Sequence, residues 1–567
     1  MIRPLKRLML LLPTATLPVI IWLLLLSSAT GTGTATAKAN AMTGEVSLYN
    51  EADNVVNADT NTLLPHLRTT PKGKLVQFIN IFCGDCRRFA PTFKGVAREL
   101  YKWKSLLSIY AVDCAQERNV AICRDYQILH TPTLRYFPPA FSGNGLGTEL
   151  PTIKPKEIID LLAGYLAKDF NAGQLHFEPL RPDSDANATI AEHVGPGHTE
   201  EYIALVFQPK GSNIGRDTIF EMLPYPAVAV RIVDDAQVFA NFGLAAHEQK
   251  LAIMDLDGNI LALKSTQESS QAYAASIAEY LAQMGRTPWP PLPTTRAPKT
   301  SSVRNREKLA ILATVRRESP RVYRADLEQA IDKLLHIELP KAGLIEGDNM
   351  TALRNIIAVL RYNNPLNKDG QLLLTALDDS VLSINRLTGN EFVDLVKSKE
   401  KGLGNVFKAK RDIGCISTRP FLRGFTCSLW TLFHHLTVAA ARQPNTLKAG
   451  SVLSAVHGFA KYFFGCSDCA QHFLAMAERK HIELVADHDA EILWLWEAHN
   501  EVNSRVAGDT TEDPEFPKIQ FPSTTACPAC RHENSQWNRT EVLRYLKNIY
   551  DTKNLSFYGL PTSRGYE

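Results

Sequence analysis

The segment KLVQFINIFCGDCRR, residues 74–88, decides the fold of the first domain. Its apolar part, Lys74 to Asn80, predicts a short β-strand, and residues 87–100 predict an α-helix. Two further strands are predicted at 106–112 and 134–137. The alternation of strand and helix indicates an α/β unit, in which a C-x-x-C motif lies between the first strand and the helix.

The C-x-x-C motif of this segment is Cys83-Gly84-Asp85-Cys86, and it lies where the helix begins. Unsatisfied backbone N–H groups and the positive end of the helix dipole are therefore expected near the first sulfur. They favour a thiolate, which is a nucleophile at neutral pH and a good leaving group in disulfide exchange. We predict that Cys83 and Cys86 exchange disulfides, and an inert bridge is the alternative.

Strand, C-x-x-C, helix and the downstream Thr131-Pro132-Thr133 resemble a thioredoxin domain. The resemblance implies that Pro132 is cis beside the reactive disulfide and that the first cysteine attacks the substrate. Two residues depart from the family pattern, because Phe82 stands where Trp is usual and Asp85 where related oxidoreductases often carry His. The charge of Asp85 should oppose the thiolate and make the disulfide less oxidising, and Arg87 and Arg88 should partly offset it.

Composition limits the class of protein. Of the 567 residues, 45% are hydrophobic and 21% charged, which excludes collagen-like, coiled-coil and largely disordered chains. The length suggests three or four domains. The formal net charge is only +3, so a nucleic-acid partner is not expected. The ten cysteines are too few for a disulfide-built scaffold, so their placement matters more than their number.

The N-terminus has the pattern of a secretory signal, which we assign to residues 1–37. Basic residues precede an apolar stretch from Leu8 to Leu26, and small residues at 35–37 fit a cleavage site, although an uncleaved anchor is the alternative. Later segments are too short and too polar to predict a C-terminal membrane span. We therefore expect the ER or Golgi lumen, or secretion, where disulfides persist. Four glycan acceptor patterns agree with that compartment: Asn187, Asn349, Asn538 and Asn554.

The middle of the chain, from Arg124 to Gly414, contains no cysteine. Strand-like runs recur there at 202–207, 227–233 and 251–254, which predicts a second α/β domain without thiol chemistry. Five prolines between 287 and 298 predict a semi-rigid linker. Helical spacing of apolar residues follows this linker, so the fold class that we expect is multidomain α/β plus all-α.

The cysteines fall into five sequential pairs, three of which are C-x-x-C: Cys83 with Cys86, Cys114 with Cys123, Cys415 with Cys427, Cys466 with Cys469, and Cys527 with Cys530. The second and third pairs close short loops, so we predict structural disulfides, with an auxiliary redox role for the third pair as the alternative. We expect the last pair to be an inert bridge. A zinc site formed by the last two pairs is disfavoured because the compartment favours oxidised sulfur, and no metal is expected.

The second C-x-x-C, Cys466-Ser467-Asp468-Cys469, follows the aromatic residues 462–464 and precedes His472. A downstream helix should present an aromatic ring and hydrogen-bonding groups on one face, which suits a flat heteroaromatic cofactor: Trp496, His499, Asn500 and Asn503. Upstream residues supply a phosphate-pairing cation, a stacking surface and a donor: Arg423, Trp430 and His434. Each of these alone is more often a core or surface residue, and their coincidence around a C-x-x-C carries the prediction.

Three of these segments together resemble the Erv/ALR-type sulfhydryl oxidase domain, a small helical bundle that holds FAD beside its C-x-x-C. They are RGFTCSLWTLFH at 423–434, CSDCAQH at 466–472 and HNEVN at 499–503. With a thioredoxin domain upstream, the chain is similar to the quiescin sulfhydryl oxidase family. The resemblance implies FAD as the cofactor and the following contacts to it: Arg423, Trp430, His434, Asp468, His472, Trp496, His499, Asn500, Val502, Asn503 and Lys518. Phe521 stands where the family commonly has another Trp.

The resemblance also implies a domain order after the signal. We expect a redox-active thioredoxin domain at 45–168, a redox-inactive thioredoxin-like domain at 172–286, a proline-rich linker at 287–308, a helix-rich domain at 309–410, an Erv/ALR oxidase domain at 415–522, and a C-terminal segment at 523–567 with the distal C-x-x-C. The oligomeric state is not predicted.

The expected function is an electron relay from thiols to oxygen. Reduced protein thiols would reduce Cys83–Cys86, which would reduce Cys466–Cys469, and FAD would pass the electrons to O2 to give H2O2. The family implies a mixed disulfide between Cys86 and Cys466, with Cys469 at the flavin. The linker would act as a hinge. The alternatives are a disulfide isomerase or reductase without oxidase activity, and a non-enzymatic secreted binding protein with five structural bridges.

Overall fold

The computed structural model describes residues 47–139, 141–170, 175–291, 302–419, 422–509 and 511–561. The predicted signal or anchor at 1–37 lies outside these residues, as do residues 292–301 of the predicted linker. Among the helices of the described ranges, none combines the length and apolar character needed to span a membrane.

The first sheet has five strands in the order β1-β3-β2-β4-β5. The strands are β1 Val56–Ala58, β2 Gly73–Ile79, β3 Leu107–Asp113, β4 Thr133–Phe137 and β5 Thr148–Glu149. The first three are parallel, whereas β4 and β5 are antiparallel to their neighbours. All of β2 is buried, because one apolar cluster covers each face of the sheet. The predicted strand at 74–80 is therefore the centre of this sheet.

Four helices accompany the first sheet: α1 Thr60–Thr69, α2 Gly84–Glu99, α3 Val120–Asp125 and α4 Pro155–Asp169. The helix predicted at 87–100 begins three residues earlier than expected, with Cys83 as its N-cap residue. Cys86 is buried on the inner face of the first turn, where its side chain packs against the sheet. The C-x-x-C motif is thus part of α2 rather than a loop before it.

A second, four-stranded sheet follows, in the order β7-β6-β8-β9. It consists of β6 Tyr202–Phe207, β7 Val228–Val233, β8 Leu251–Asp255 and β9 Ile260–Ala262, with helices α5 Ala186–Ala191, α6 Ile214–Met222, α7 Ala236–Ala240 and α8 Ser270–Gln283. Strands β6 and β7 are parallel and the other pairs are antiparallel, as in the central part of the first sheet. The cysteine-free α/β region that the sequence predicts is confirmed.

The remainder of the described chain is mainly helical. Its helices are α9 Ser302–Glu318, α10 Arg324–Lys333, α11 Asp348–Asn363, α12 Lys368–Ser383, α13 Gly389–Glu400, α14 Gly424–Arg442, α15 Ser451–Tyr462, α16 Ser467–Arg479, α17 His488–Val506 and α18 Arg539–Ile549. A short antiparallel ribbon joins β10 Leu344–Glu346 to β11 Arg386–Thr388. The fold class predicted from the sequence, α/β followed by all-α, is confirmed.

The buried apolar residues of α10–α18 lie mainly in one core that runs from Val322 to Leu555, whereas Ile311 and Val315 of α9 belong to a smaller cluster. Leu327, Ile331 and Leu353, which the sequence pattern assigned to amphipathic helices, are completely buried in it. In this core, α10 packs on α14 and α11 packs on α15. The helix-rich region at 309–410 therefore directly supports the region that carries the second C-x-x-C.

Candidate active site

The first C-x-x-C lies at the N-terminus of α2 and is shielded from solvent. Cys83 and Cys86 are thiols in this structure, and both are 0% exposed. The Cys83 thiol lies 3.5 Å from the carbonyl oxygen of Thr131, and Cys86 Sγ accepts a hydrogen bond from the backbone N–H of Asn80 at 3.4 Å. The Thr131–Pro132 peptide bond is cis and adjoins the two sulfurs.

The two thiols differ in acidity. A hydrogen bond from Cys86, together with backbone N–H groups of Cys86 and Asp85, lowers the pKa of Cys83 to about 7, although burial and the charge of Asp85 oppose the shift. Burial raises the pKa of Cys86, and the neighbouring Cys83 adds to this effect. Cys83 is therefore the thiolate of the pair, as the helix-start position predicts, and Asp85 acts against it as expected.

The second C-x-x-C also caps a helix, because Cys466 is the N-cap residue of α16. Cys466 and Cys469 form a disulfide. Cys466 is only 1% exposed and belongs to the same apolar cluster as Cys83 and Cys86, and Cys469 packs against that cluster. The structure therefore brings together two motifs that are separated by 380 residues of sequence.

Polar contacts hold the two motifs together. The Thr131 hydroxyl donates to the carbonyl oxygen of Gly465 at 3.1 Å, next to Cys466. Arg88 forms ion pairs with three carboxylates, Asp85 at 2.5 Å, Asp468 at 3.2 Å and Asp509 at 3.3 Å. The Arg88 guanidinium thus connects the first C-x-x-C to the second one and to the loop that follows α17.

Further contacts surround this junction. Phe82 packs on the start of α14, so close that a Cβ atom on Gly424 would lie 2.5 Å from its ring, and Gly424 has a positive φ of 50°. The Arg124 guanidinium donates to the carbonyl oxygen of Pro340 at 3.1 Å and also to Asn390. Sequence reasoning missed these contacts, because each joins residues that lie hundreds of positions apart and has no local pattern.

A cavity opens beside Cys469, and its empty space, including the open mouth, is about 1390 Å³. Eight of the twelve residues that the sequence assigned to the cofactor line it: Arg423, Trp430, Asp468, His472, His499, Val502, Asn503 and Lys518. The rings of Trp430 and His499 stack with centroids 4.4 Å apart and planes 8° apart. These residues form an aromatic wall with cationic groups near it.

The other four predicted residues lie behind the wall of the cavity. His434 Nε2 is 3.0 Å from His499 Nδ1, so it orients the stacked imidazole. The Trp496 indole N–H and the Asn500 amide both donate to the carbonyl oxygen of Phe521, and Asn500 Oδ1 accepts from the Phe521 N–H. Their side chains are therefore occupied in fixing residues 519–521 against α17.

The single cofactor-facing side predicted for α17 is thus divided in two. At 3.6 residues per turn, positions 496 and 500 point on average about 60° away from positions 499 and 503. The first pair binds the Phe521 backbone, whereas His499 and Asn503 line the cavity. Asn503 does both, because its amide also donates to the carbonyl oxygen of Ile519 at 3.1 Å. The sequence pattern identified the right helix and turn, but it grouped supporting residues with lining residues.

The cavity fits FAD in its chemistry. Burial lowers the pKa of His434 to about 3 and holds the pKa of His499 well below its usual range, so both rings are neutral and suited to stacking on a heteroaromatic system. Arg423 Nη1 is buried and has no hydrogen-bond partner among the described residues, whereas Nη2 donates to the Gly414 carbonyl at 2.6 Å. Such a free guanidinium nitrogen suits an anionic or accepting group of a dinucleotide.

The remaining cysteines are joined in the pairs that the spacing predicts. The disulfides are Cys114–Cys123, Cys415–Cys427 and Cys527–Cys530. Cys427 contributes to the cavity wall, so its bridge also holds the start of α14 near the site.

Comparison with known proteins gives matches along most of the chain. Residues 55–144 match the thioredoxin family, 318–417 the flavin adenine dinucleotide (FAD)-dependent sulfhydryl oxidase family, and 427–522 the Erv1/Alr family. The chain is 33% identical to human sulfhydryl oxidase 1 over 525 residues, which covers 90% of this chain and 68% of the relative. It is 30% identical to mouse sulfhydryl oxidase 2, covering 90% and 75% of the two chains.

Among solved structures, a sulfhydryl oxidase fragment of human QSOX1 is 38% identical, covers 42% of this chain and 98% of that chain, and has a TM-score of 0.39. The relatives cover the thioredoxin region, the helix-rich region and the cavity in one alignment. The chain belongs to the quiescin sulfhydryl oxidase family and is an FAD-dependent thiol oxidase that introduces disulfides.

Proposed function

We propose that electrons enter this oxidase at the Cys83–Cys86 pair, pass to the Cys466–Cys469 pair and leave through FAD to O2. The observation that carries the proposal is the common burial of Cys83, Cys86 and Cys466 in one cluster, since disulfide exchange requires direct approach of sulfur atoms. Each exchange moves two electrons and two protons. A protein dithiol becomes a disulfide, and O2 becomes H2O2.

The first exchange takes place at Cys83. A substrate thiolate attacks Cys83 of the oxidised pair and releases Cys86, and the second substrate thiol then releases Cys83. Because the pKa of Cys83 is lowered to about 7, this sulfur leaves as a stabilised thiolate. The substrate ends as a disulfide, and the enzyme holds the dithiol form of Cys83 and Cys86.

The second exchange carries the electrons to the helical region. The Cys83 thiolate attacks Cys466 and releases Cys469, after which Cys86 attacks Cys83 and releases Cys466. The pKa of Cys86 is raised by burial, so Cys83 is the better nucleophile. This order assigns the mixed disulfide to Cys83, whereas the sequence resemblance assigned it to Cys86.

The chemistry that FAD supplies when bound is two-electron transfer from a dithiol to O2. The chain's residues would bind and orient it beside Cys469. Trp430 and His499 offer a stacking surface, and Arg423 and Lys518 offer cationic groups at the cavity. Burial, with the charge of Arg423, lowers the pKa of Lys518, and the charges of Glu512 and Asp513 oppose this shift.

Turnover requires the two cysteine pairs to separate and meet again. Cys83 is fully buried in the cluster that also contains Cys466, so a protein substrate has no access to it in this arrangement. Substrate oxidation therefore needs a separated form, and transfer to Cys466 needs the docked form. The proline-rich run predicted as a hinge would permit this motion.

We also propose the secretory pathway or the extracellular space as the place of action, with reduced proteins as substrates. The disulfides Cys114–Cys123 and Cys415–Cys427 support an oxidising compartment.

Two cysteine variants test the relay. Cys466→Ser should abolish O2 uptake with any thiol, because it removes the acceptor next to the cavity. Cys83→Ser should keep O2 uptake with dithiothreitol, which can reduce Cys466–Cys469 directly, but lose it with a reduced protein. The measurement is oxygen consumption with both substrates, together with the visible flavin absorbance of each variant.

The matched control is Cys527→Ser with Cys530→Ser, which removes a C-x-x-C outside the proposed path and should leave both rates unchanged. Equal loss of both rates in Cys83→Ser, with flavin retained, would contradict a relay that begins at the first pair.

A further inference from the structure

A cluster of imidazoles and carboxylates lies in the second α/β region, away from the cysteines and the cavity. Helix α5 ends just before His193, and the following loop carries His198 and Glu200 to the start of β6. One ligand atom from each of these three side chains lies within 4.8 Å of the others. The relay makes no use of these residues.

The distances within the cluster are close to those of a metal site. His198 Nδ1 lies 3.3 Å from Glu200 Oε2, without a hydrogen bond between them. Two ligands of a tetrahedral zinc ion, bonded at roughly 2.0–2.1 Å, are about 3.4 Å apart. The pair therefore already has the separation that zinc requires, and His193 needs only a small shift.

His193 is the buried member of the cluster, with 2% exposure. Its Nδ1 has no hydrogen-bond partner among the described residues, whereas Nε2 lies 3.5 Å from Arg231 Nη1. Burial, followed by the charge of Arg231, lowers the pKa of His193 to about 4, so the ring is neutral at pH 7. A neutral imidazole with a buried, unpaired nitrogen is a suitable zinc ligand.

A second triad shares His193 and adds His176 and Glu192. Arg231 forms an ion pair with Glu192, which occupies that carboxylate and brings a positive charge to this side of the ring. The side of His198 and Glu200 has no such cation in the described contacts, so it is the favoured side for a metal.

We propose that His193, His198 and Glu200 bind a zinc ion, with water as the fourth ligand. Metal at His193 Nδ1 puts the ring proton on Nε2, so Arg231 no longer donates to this nitrogen and keeps its ion pair with Glu192. The ion would tie the loop after α5 to the start of β6 in a domain that has no disulfide among its described residues. The role would be structural rather than redox, and it is independent of the proposed relay.

The test is zinc binding by the full chain in a Cys83→Ser, Cys86→Ser background, so that free thiols cannot bind the metal, and without a purification tag. Zinc is titrated against a chromogenic chelator, and the metal content is measured after dialysis. We expect one zinc per chain and a zinc-dependent rise in the thermal midpoint. His193→Asn and His198→Asn should each weaken binding by at least about tenfold.

The matched control is His247→Asn, which changes an exposed histidine of the same domain and should leave affinity unchanged. His198 lies in a partly exposed loop, so its variant should fold even if the His193 variant does not. Less than stoichiometric zinc, or equal affinity in His198→Asn and the parent, would overturn the proposal.

Discussion

Asp85 places a negative charge between the two cysteines of the entry motif. The sequence predicts that this charge opposes the Cys83 thiolate, and in the structure Asp85 indeed raises the pKa of Cys83. Hydrogen bonds to the Cys83 sulfur lower this pKa by more, so the net shift is downward. The structure adds that Arg88 pairs with Asp85 at 2.5 Å. The local chemistry of Cys83 was predictable because it depends on neighbours within one helical turn, whereas the partners of Arg88 at 468 and 509 were not.

The acidity of Cys83 gives a pH prediction. Its pKa is lowered to about 7 from the usual 9.0, so alkylation of reduced enzyme at Cys83 should rise through pH 7 and then level off. Asp85→Asn removes a charge that raises this pKa, so the midpoint should move to lower pH. Site-resolved alkylation followed by mass spectrometry measures both curves.

The control is Asp125→Asn, which removes an exposed carboxylate of the same domain and should not move the midpoint of the alkylation curve. A wild-type midpoint near 9, or a shift to higher pH in Asp85→Asn, would contradict the assignment of Cys83 as the thiolate.

Among the elements, α17 shows most clearly what periodicity can and cannot predict. The spacing of Trp496, His499, Asn500 and Asn503 identified a functional helix, but two of these residues bind the backbone of Phe521. Helical spacing predicts which side chains share one face of a helix. It carries no information on which distant segment packs against that face. Six of the nine strands of the two sheets, in contrast, followed from local apolar runs, whereas the short edge strands β1, β5 and β9 were not predicted.

Asn500→Ala tests the supporting role of this helix. The change removes two part-buried hydrogen bonds to Phe521, each of which contributes about 0.5–1.5 kcal/mol, so the free energy of unfolding should fall by about 1–3 kcal/mol. FAD affinity should fall as well, because the residues beside Lys518 lose their anchor. Denaturant unfolding and flavin release measure the two effects.

Gln471→Ala, an exposed change on α16, serves as the control and should alter neither quantity. Weaker flavin binding without any loss of stability would indicate instead that Asn500 contacts the cofactor directly.

At the scale of the whole molecule, the docking of the first sheet region on the helical region is the feature that the sequence did not reveal. The sequence predicted that two separate sites must meet, and it could not predict which surfaces do so. Phe82, which departs from the family pattern, packs against Gly424 at this junction. Its role follows from tertiary packing between residues far apart in the chain.

Arg88→Ala should weaken docking, because it removes three ion pairs around the junction. Arg88 is 38% exposed and exposed pairs contribute roughly 0.2–1 kcal/mol each, so we expect turnover with reduced protein to fall about three- to tenfold. Turnover with dithiothreitol should be unchanged. Steady-state oxygen uptake at low and high salt measures this, and salt should slow the wild type more than the variant.

Arg98→Ala is the matched control, since Arg98 lies on the same helix and pairs with Asp53 within the first region. It should leave both rates unchanged, whereas an equal loss in the two variants would argue against a docking role for Arg88.

The complete burial of Cys83, in the cluster that also contains Cys466, has a consequence for the lifetime of the enzyme. A low-pKa thiolate is the form of cysteine that peroxide oxidises irreversibly to sulfinic and sulfonic acids. In the proposed relay, peroxide would form in the cavity that Cys469 lines. While the two regions are docked, the most vulnerable atom of the entry motif is covered, so the arrangement that transfers electrons also limits self-inactivation by the product.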